Sequence, residues 1–374
     1  MLLPRPRRRT LLPFALGGLL AALPVWKASH SLEPLGPIVA GLPAVQAQPA
    51  AGPYGLPLAD GSVRFLVMGD TGRGDAGQIE TANQMVAARA KFPYTFVIMV
   101  GDNIYGADSP GDYTTKFETP YKVLEDAGLK FYAALGNHDN PNQRNYKLFN
   151  MGGERYYTFR GSKGGLGKLT EGGVRFFAID SNYLDKPQLD WLEKTLSSSG
   201  SDWKIAFFHH PLYSSGKTHG SALETRAVLE PIFLKHGVSV VLTGHDHIYE
   251  RIKPQQGIHH WVVGSSGSLR KGDLTNTSMT DKGFDQDYVF MLVEIAGDDF
   301  HYAALSRTGT VVDSGVVSRP HVAEPSPSPQ PTPAPSLAPP PPSPSPVAAP
   351  SPSPSPKPSP SPSPKKVPRK VKRG

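Results

Sequence analysis

The chain of 374 residues contains no cysteine. This absence excludes a cysteine nucleophile, a lipid-modified leader cysteine and any disulfide bond. It also excludes thiolate ligands, so any bound metal ion must be held by oxygen and nitrogen donors. Any chemistry must therefore come from carboxylate, imidazole, amide, hydroxyl and phenol side chains.

Acidic residues are scarce at both ends of the chain. Residues 5–9 and 27 give the N-terminal stretch five positive charges, and the tail from Pro320 carries seven Lys or Arg against Glu324 alone. Because the formal net charge of the whole chain is +7, residues 31–319 carry about −4. The pI of 9.3 therefore describes the two ends, and no nucleic-acid partner is expected for the middle of the chain.

A long uninterrupted hydrophobic segment is missing as well. The apolar run Leu11–Trp26 is broken by Pro13 and Pro24, and it is too short to span a bilayer comfortably. Because Arg5–Arg9 precede it, the run is typical of an export signal, which predicts a protein of the periplasm, cell envelope or extracellular space. Arg8–Leu12 fits a loose twin-arginine pattern, and an arginine-rich general secretory signal is the alternative.

Composition divides the chain into four segments. Residues 1–47 are predicted to be a signal peptide and leader, with small residues at Val45–Ala47 as the cleavage site. Residues 48–62, rich in Pro, Ala and Gly, are predicted to be a linker. Residues 63–319 are long enough to bury one large core, and residues 320–374 form a separate tail.

The tail contains a Ser-Pro repeat followed by the basic end Lys365–Arg373. Such a repeat cannot bury enough apolar surface to fold, so we expect it to be disordered and extended over about 120 Å. The basic end is then expected to contact an anionic cell-envelope polymer or a membrane surface. A solvated tail without a partner is the alternative.

Apolar runs with strand character alternate with helical spacing through the middle of the chain. Strands are predicted at residues 63–68, 96–100, 131–135, 155–159, 174–179, 205–208 and 238–242, and helices at 76–90, 116–126, 187–196 and 223–235. Residues 249–317 are predicted to be strands joined by turns. This order predicts an α/β fold, a layered sandwich of two sheets.

Polar clusters follow five of the apolar runs. They are Gly69-Asp70, Gly101–Tyr105, Gly136–Asp139, His209–Pro211 and Gly244–His247. Open α/β sheets place their sites at the carboxyl edge of the strands, so these side chains are expected to meet. They supply enough oxygen and nitrogen donors for two metal ions.

Together the clusters resemble the motifs of the calcineurin-like metallophosphoesterases, which are D-x-H, G-D-x-x, G-N-H-[D/E], a lone H and G-H-x-H. Four of the five match, whereas Gly72 stands where the first motif has His, and Tyr105 stands three residues after Asp102. With this exchange the motifs resemble those of the purple acid phosphatases, in particular their small, mammalian-type branch. The resemblance covers Val63–Ser318 and implies a catalytic domain over 63–319 built as an α/β/β/α sandwich with two mixed β-sheets.

The resemblance also implies a binuclear metal centre. By their motifs, Asp70, Tyr105 and His247 resemble the ligands of one ion, Asn137, His209 and His245 those of the other, and Asp102 the bridging carboxylate. A phenol has a pKa of about 10, so a phenolate ligand at acid or neutral pH needs a strong Lewis acid. The resemblance therefore implies Fe(III) beside a divalent Fe, Zn or Mn ion. A buried structural tyrosine is the alternative for Tyr105.

Two more histidines are candidates for contact with substrate. His138 is expected to stabilise phosphoryl charge, and His219 to protonate the leaving group, although an exposed loop residue is the alternative for His219. Asp139, Asp246 and His210 are expected to orient ligands. The run Gly72–Gly77 has the G-x-G-x-x-G spacing of a dinucleotide-binding turn without its acidic partner, and we interpret it as a turn beside the metal site.

The resemblance implies an acid phosphatase that hydrolyses small phosphate monoesters by attack of a metal-activated hydroxide. A phosphodiesterase on the same fold, with a divalent Mn or Zn pair, is the nearest alternative. A non-catalytic envelope-binding module with a structural metal site is the second alternative.

Overall fold

The computed structural model describes residues 52–161, 173–200, 202–275 and 277–319. The predicted leader over residues 1–47 and the predicted tail over residues 320–374 lie outside this part of the chain. The export signal, its cleavage site and the disorder of the tail therefore stay predictions.

Thirteen strands form two sheets in the described part of the chain. Their bounds are β1 Val63–Met68, β2 Phe96–Met99, β3 Lys130–Ala133, β4 Tyr157–Gly161, β5 Val174–Ala178, β6 Trp203–Phe207, β7 Val240–Thr243, β8 Tyr249–Gln255, β9 Ile258–Val263, β10 Thr280–Phe284, β11 Val289–Ala296, β12 Asp299–Ser306 and β13 Val311–Ser318. The first sheet has the order β13-β12-β11-β1-β2-β3, and the second has the order β10-β8-β9-β7-β6-β5-β4. Both are mixed, because β1, β2 and β3 run parallel, as do β5, β6 and β7, while their other neighbours include antiparallel strands.

Helices cover the outer faces of both sheets. They are α1 Ala76–Lys91, α2 Pro110–Tyr113, α3 Thr119–Asp126, α4 Lys186–Ser197 and α5 Leu223–His236. Apolar residues of α1 and α3 pack on the first sheet, and those of α4 and α5 pack on the second. Among the described residues, none of the helices is both long enough and apolar enough to cross a membrane.

Aromatic side chains fill the space between the two sheets. Phe65 on β1 and Phe96 on β2 lie with ring centroids 5.1 and 5.5 Å from that of Phe176 on β5. Edge-to-face contacts of this kind add to the stabilisation from buried apolar area. The predicted α/β/β/α sandwich with two mixed sheets is confirmed.

The single helix predicted at 116–126 has a different start in the structure. Ser109 and Asp112 form a capping box that begins α2, and a π-helical turn at Thr114–Glu118 joins α2 to α3. The capping box satisfies backbone donors before the apolar spacing starts, so periodicity alone misses this beginning. The π-helical turn carries Lys116, which reaches the site described below.

The predicted linker over residues 48–62 is packed against the domain from Gly52 onward. Leu56 is fully buried in the core cluster that lies under α1 and α3. The amides of Leu58 and Ala59 donate hydrogen bonds to the buried carboxylate of Glu294 on β11, at 2.8 and 2.6 Å, and the hydroxyl of Ser62 donates to it at 2.7 Å. These three bonds attach the segment to the first sheet.

Candidate metal centre

The predicted ligands all lie just beyond the carboxyl ends of parallel strands. Asp70 follows β1, Asp102 and Tyr105 follow β2, Asn137 follows β3, His209 follows β6, and His245 and His247 follow β7. Because β1, β2 and β3 are parallel neighbours in one sheet and β6 and β7 in the other, the strands deliver these side chains to one edge of the sandwich.

Three of these residues adopt a left-handed backbone conformation. The φ angles are +56° at Asp70, +52° at Asp102 and +72° at His245. Residues other than glycine rarely take this conformation, and each instance costs on the order of 1–3 kcal/mol. The turns therefore hold the two carboxylates and the imidazole in place at the expense of local backbone strain.

One group of predicted ligands, which we call the tyrosine half, consists of Asp70, Tyr105 and His247. The Tyr105 Oη atom lies 3.1 Å from His247 Nε2 and 3.5 Å from Asp70 Oδ1. Asp70, Asp102 and His247 are all buried, and each offers a ligand atom within 4.8 Å of the others. A buried Asp/Asp/His group with the spacing of a metal site is thus present.

The other group, which we call the amide half, consists of Asn137, His209 and His245. His209 Nε2 lies 3.0 Å from Asn137 Oδ1 and 3.1 Å from His245 Nδ1. Asp102 Oδ1 lies 3.4 Å from the same His209 nitrogen. Asp102 therefore contacts the amide half while it also belongs to the buried group that contains Asp70 and His247, as a bridging carboxylate must.

The atoms that meet in the amide half are electron-pair donors. His209 Nδ1 lies 3.1 Å from the carbonyl oxygen of Val100, so the N–H at Nδ1 donates there and Nε2 keeps its lone pair. That lone pair faces the oxygens of Asp102 and Asn137. Lone pairs that converge in this way repel one another unless a cation lies among them, so the residues fit a metal ion.

Burial sets the protonation of the site in the absence of a cation. It lowers the pKa of His245 to about 2, helped by His209, and that of His247 to about 3, helped by the charge of Arg270. Burial and the charge of Asp102 raise the pKa of Asp70 well above its usual value. Burial, Asp70 and Asp102 raise the pKa of Tyr105 in the same way. The imidazoles are therefore neutral, as ligands must be, and only a cation would favour ionised Asp70 and Tyr105.

Gly72, which replaces the histidine of the first motif, has no room for a side chain. A Cβ atom there would lie 2.2 Å from the carbonyl oxygen of Asn103 and 2.4 Å from the Cα of Ile104. The amide of Tyr105 donates to the carbonyl of Gly72 at 2.9 Å, which holds the loops after β1 and β2 together. The close contact that excludes a histidine at position 72 is thus the contact that places Tyr105.

Three residues that were expected to orient ligands form hydrogen bonds with loop groups around the site. Asp139 accepts hydrogen bonds from the amides of Gly136 and Ile104, at 2.8 and 3.0 Å, and so joins the loops after β2 and β3. Asp246 accepts from the hydroxyl of Ser214 at 2.5 Å and the amide of Gly220 at 3.0 Å, which fixes the loop that carries His219. His210 Nδ1 lies 2.8 Å from Ser181 Oγ.

The two histidines predicted to contact substrate are exposed, and they lie on different sides of the site. The His138 ring centroid is 5.0 Å from that of Tyr105, beside the tyrosine half. The His219 ring centroid is 4.0 Å from that of His245, beside the amide half. The structure therefore brings His219 to the site, although the spacing of the sequence left an exposed loop residue as the alternative.

Three cationic residues at the site were not found from the sequence. Arg73 Cζ lies 5.2 Å from the centroid of the Tyr105 ring, and the amide of Arg270 donates to the carbonyl of His247 at 3.1 Å. Lys116 Nζ donates to the carbonyl of Tyr105 and to Asp112 Oδ1. Only Arg73 had a signal, because it stands inside the glycine-rich run Gly72–Gly77.

Comparisons with known proteins identify the family to which the chain belongs. The family model of calcineurin-like phosphoesterases matches residues 63–249. Purple acid phosphatase 7 of Arabidopsis thaliana is 30% identical over 292 residues, which cover 66% of this chain and 87% of that protein. Tartrate-resistant acid phosphatase type 5 of Homo sapiens is 24% identical over 248 residues, which cover 57% of this chain and 76% of that protein.

Solved structures share the fold. The purple acid phosphatase from yellow lupin seeds superposes with a TM-score of 0.56 at 20% identity, over 70% of this chain and 54% of that one. Plasmodium GAP50, the anchor in the inner membrane complex, superposes with a TM-score of 0.61 at 22% identity, over 70% of this chain and 90% of that one. The chain thus belongs to the calcineurin-like phosphoesterases and is a metallophosphoesterase related to the purple acid phosphatases of plants and the tartrate-resistant acid phosphatases of mammals.

Proposed function

We propose that the protein hydrolyses phosphate monoesters with a binuclear centre, in which Fe(III) is held by the tyrosine half and a divalent Fe, Zn or Mn ion by the amide half. The observation that carries this proposal is the position of Tyr105, whose Oη lies beside both Asp70 and His247 in a site where Gly72 leaves no room for histidine. An ionised phenol beside a buried carboxylate is a hard, anionic donor set, which favours a trivalent ion.

In this proposal Asp102, His138 and His219 have different roles. Asp102 holds the two halves at a fixed separation, because it contacts both. Two ions bound there would polarise a phosphoryl oxygen and supply a hydroxide nucleophile near neutral or acid pH. In this proposal His138, beside the tyrosine half, binds phosphoryl oxygens, and His219, beside the amide half, protonates the leaving oxygen.

The test is the visible spectrum of the metal-loaded protein together with its activity on phenyl phosphate and on a phosphate diester. We expect a broad charge-transfer band and a preference for the monoester in mildly acid buffer. Tyr105→Phe removes only the hydroxyl, so the band should vanish while turnover falls only partly. Tyr113→Phe is the matched control, because Tyr113 contacts Tyr146 and Phe149 and should leave the band unchanged.

Other results would favour one of the two alternative functions. A colourless protein with two divalent ions that prefers the diester at neutral or alkaline pH would contradict iron and monoesterase activity, and it would favour the phosphodiesterase. A fully metallated protein that hydrolyses neither ester would favour a binding module.

Export and contact with an anionic envelope surface are further proposals, and they rest on residues 1–47 and 320–374 of the sequence. A chain that ends at Arg319 should keep full turnover on phenyl phosphate and lose retention on anionic vesicles at low salt, because such binding is screened by ions. A large loss of turnover on the small ester would contradict a tail that only tethers.

A further inference from the structure

Two arginines lie beside the tyrosine half, Arg73 through its guanidinium group and Arg270 through its backbone. Arg73 lies over the Tyr105 ring, with its Cζ atom 5.2 Å from the centroid. The backbone of Arg270 is hydrogen-bonded to that of His247. Since Tyr105 and His247 contact each other through Oη and Nε2, each arginine is attached to one of two touching members of the site.

The loops that carry the arginines are packed tightly together. A Cβ atom at Gly267 would lie 2.5 Å from the carbonyl oxygen of Thr71 and 2.6 Å from its Cα. Ser266 exchanges two hydrogen bonds with Gly69, because its amide donates to the Gly69 carbonyl and its Oγ accepts from the Gly69 amide, each at 3.2 Å. Arg73 and Arg270 therefore project from one joined pair of loops.

Neither arginine has an acidic partner among the residues that the structure describes. None of the ion pairs within those ranges includes Arg73 or Arg270. Arg155, by contrast, pairs with both Asp180 and Asp185 at 2.7 Å. The Nη1 atom of Arg270 is buried without a hydrogen-bond partner in the same described part of the chain. That atom is enclosed by the protein, but Arg270 as a residue is only partly buried and Arg73 is exposed, so a ligand from solvent can reach the pair.

The metal centre itself does not need these two charges. Three anionic donors, Asp70, Asp102 and ionised Tyr105, with one trivalent and one divalent ion would leave the centre with a net charge of about +2. Arg73 and Arg270 would add to that excess. Because a guanidinium presents a planar fork that matches phosphate and carboxylate oxygens, the pair suits an anion beyond the phosphoryl group that reacts.

We propose that Arg73 and Arg270 form a subsite for a second anionic group on the substrate. The preferred substrates are then phosphate monoesters whose alcohol carries another phosphate or a carboxylate. This inference rests on the proposed phosphatase activity and names its substrate class.

The test compares matched esters with the metal-loaded full-length protein. The esters are propyl phosphate, propane-1,3-diol bisphosphate and 3-phosphooxypropanoate, which differ only in the group at the far carbon. We expect Arg73→Gln and Arg270→Gln each to lower kcat/KM about tenfold for the two esters that carry a second anionic group. The same variants should change kcat/KM for propyl phosphate less than about threefold. Comparison of kcat/KM for the bisphosphate and for the carboxylate ester identifies which anion the subsite prefers.

Lys130→Gln is the control for loss of one positive charge. Lys130 is exposed at the amino end of β3, at the opposite edge of the sheet from the site. This variant should leave all three esters unchanged. Calorimetric binding of propane-1,3-bisphosphonate and propylphosphonate, which cannot be hydrolysed, gives a second measurement. Both arginine variants should weaken only the bisphosphonate, with metal content measured before and after.

The outcomes separate this inference from the proposed function. Equal losses on all three esters would show that the arginines only maintain the metal centre, which overturns the subsite. A parent protein that hydrolyses the esters without preference for a second anion, and binds both phosphonates equally, would also overturn it and leave phosphatase activity standing. If the parent hydrolyses none of the esters, the proposed function fails, and weaker bisphosphonate binding in the variants decides the subsite alone.

Discussion

The two halves of the site differ in the charge of their donors. The tyrosine half offers a carboxylate and a phenol besides its imidazole, and two arginines flank it. The amide half offers a neutral amide and two imidazoles, and further histidines, His210 and His219, lie against His245. Anionic oxygen donors favour a more highly charged ion than neutral donors do. Under the proposed function, this difference would favour a different ion in each half.

The halves also differ in how they are built. The loops that carry Asp70 and Tyr105 come from neighbouring strands of one sheet, and their backbones are joined by hydrogen bonds such as that from the Thr71 amide to the Asp102 carbonyl at 3.1 Å. Both halves take ligands from both sheets, but the tyrosine half takes only His247 from the second sheet, whereas the amide half takes His209 and His245 from it. A substitution in the joined loops should therefore perturb the tyrosine half first.

The largest effect that separates the halves is expected from the two histidines after β7. His247→Ala should lose iron and keep part of the divalent ion, and His245→Ala should do the reverse, because the two side chains belong to different halves. Turnover should fall by on the order of a thousandfold in each, because the centre needs both ions. Elemental analysis and phenyl phosphate assays measure this. His301→Ala on β12 is the control, and full metal content in either site variant would refute the assignment.

An intermediate effect is expected from the two exposed histidines, His138 beside the tyrosine half and His219 beside the amide half. His219→Asn should slow an alkyl phosphate about a hundredfold and nitrophenyl phosphate only slightly, because a good leaving group needs no proton. His138→Asn should slow both esters alike, since it is proposed to act on the phosphoryl group. Steady-state rates on the two esters measure the contrast. Equal slowing of both esters by His219→Asn would remove it as the acid.

The smallest effect concerns the contact that places Tyr105. Gly72→Ala should lower the free energy of unfolding by about 1–3 kcal/mol, because its Cβ would overlap Asn103 and Ile104. It should also shift or weaken the visible band. Thermal unfolding and the spectrum measure this, with Gly111→Ala as the control, because a Cβ there meets only Ser109 Oγ at 3.8 Å. An unchanged band and stability would show that the loops can separate without loss.

The sequence predicted the two-sheet sandwich, because the spacing of apolar residues distinguishes strands from helices. It also predicted that the candidate ligands meet, because each polar cluster follows the end of a strand. The presence of Gly72 and Tyr105 in place of the motif histidine was visible in the sequence. The steric reason was not visible, because it is a close contact between the loops after β1 and β2. The approach of Arg270 to His247 and of Lys116 to Tyr105 could not be predicted for the same reason. The distance in sequence between His209 and His219 did not reveal that His219 lies at the site. The loop of His219 is held there by the hydrogen bond from the Gly220 amide to Asp246.

The attachment of residues 58–62 to Glu294 limits how far the chain can be shortened at its N-terminus without loss of stability. Glu294 is fully buried, and the segment supplies it with three hydrogen bonds from Leu58, Ala59 and Ser62. Proteolytic removal of residues before Gly52 leaves this anchor intact. Removal through Ser62 would leave a buried carboxylate whose ion-pair partner among the described residues is Arg64 at 4.0 Å, and the first sheet would lose stability beside β1.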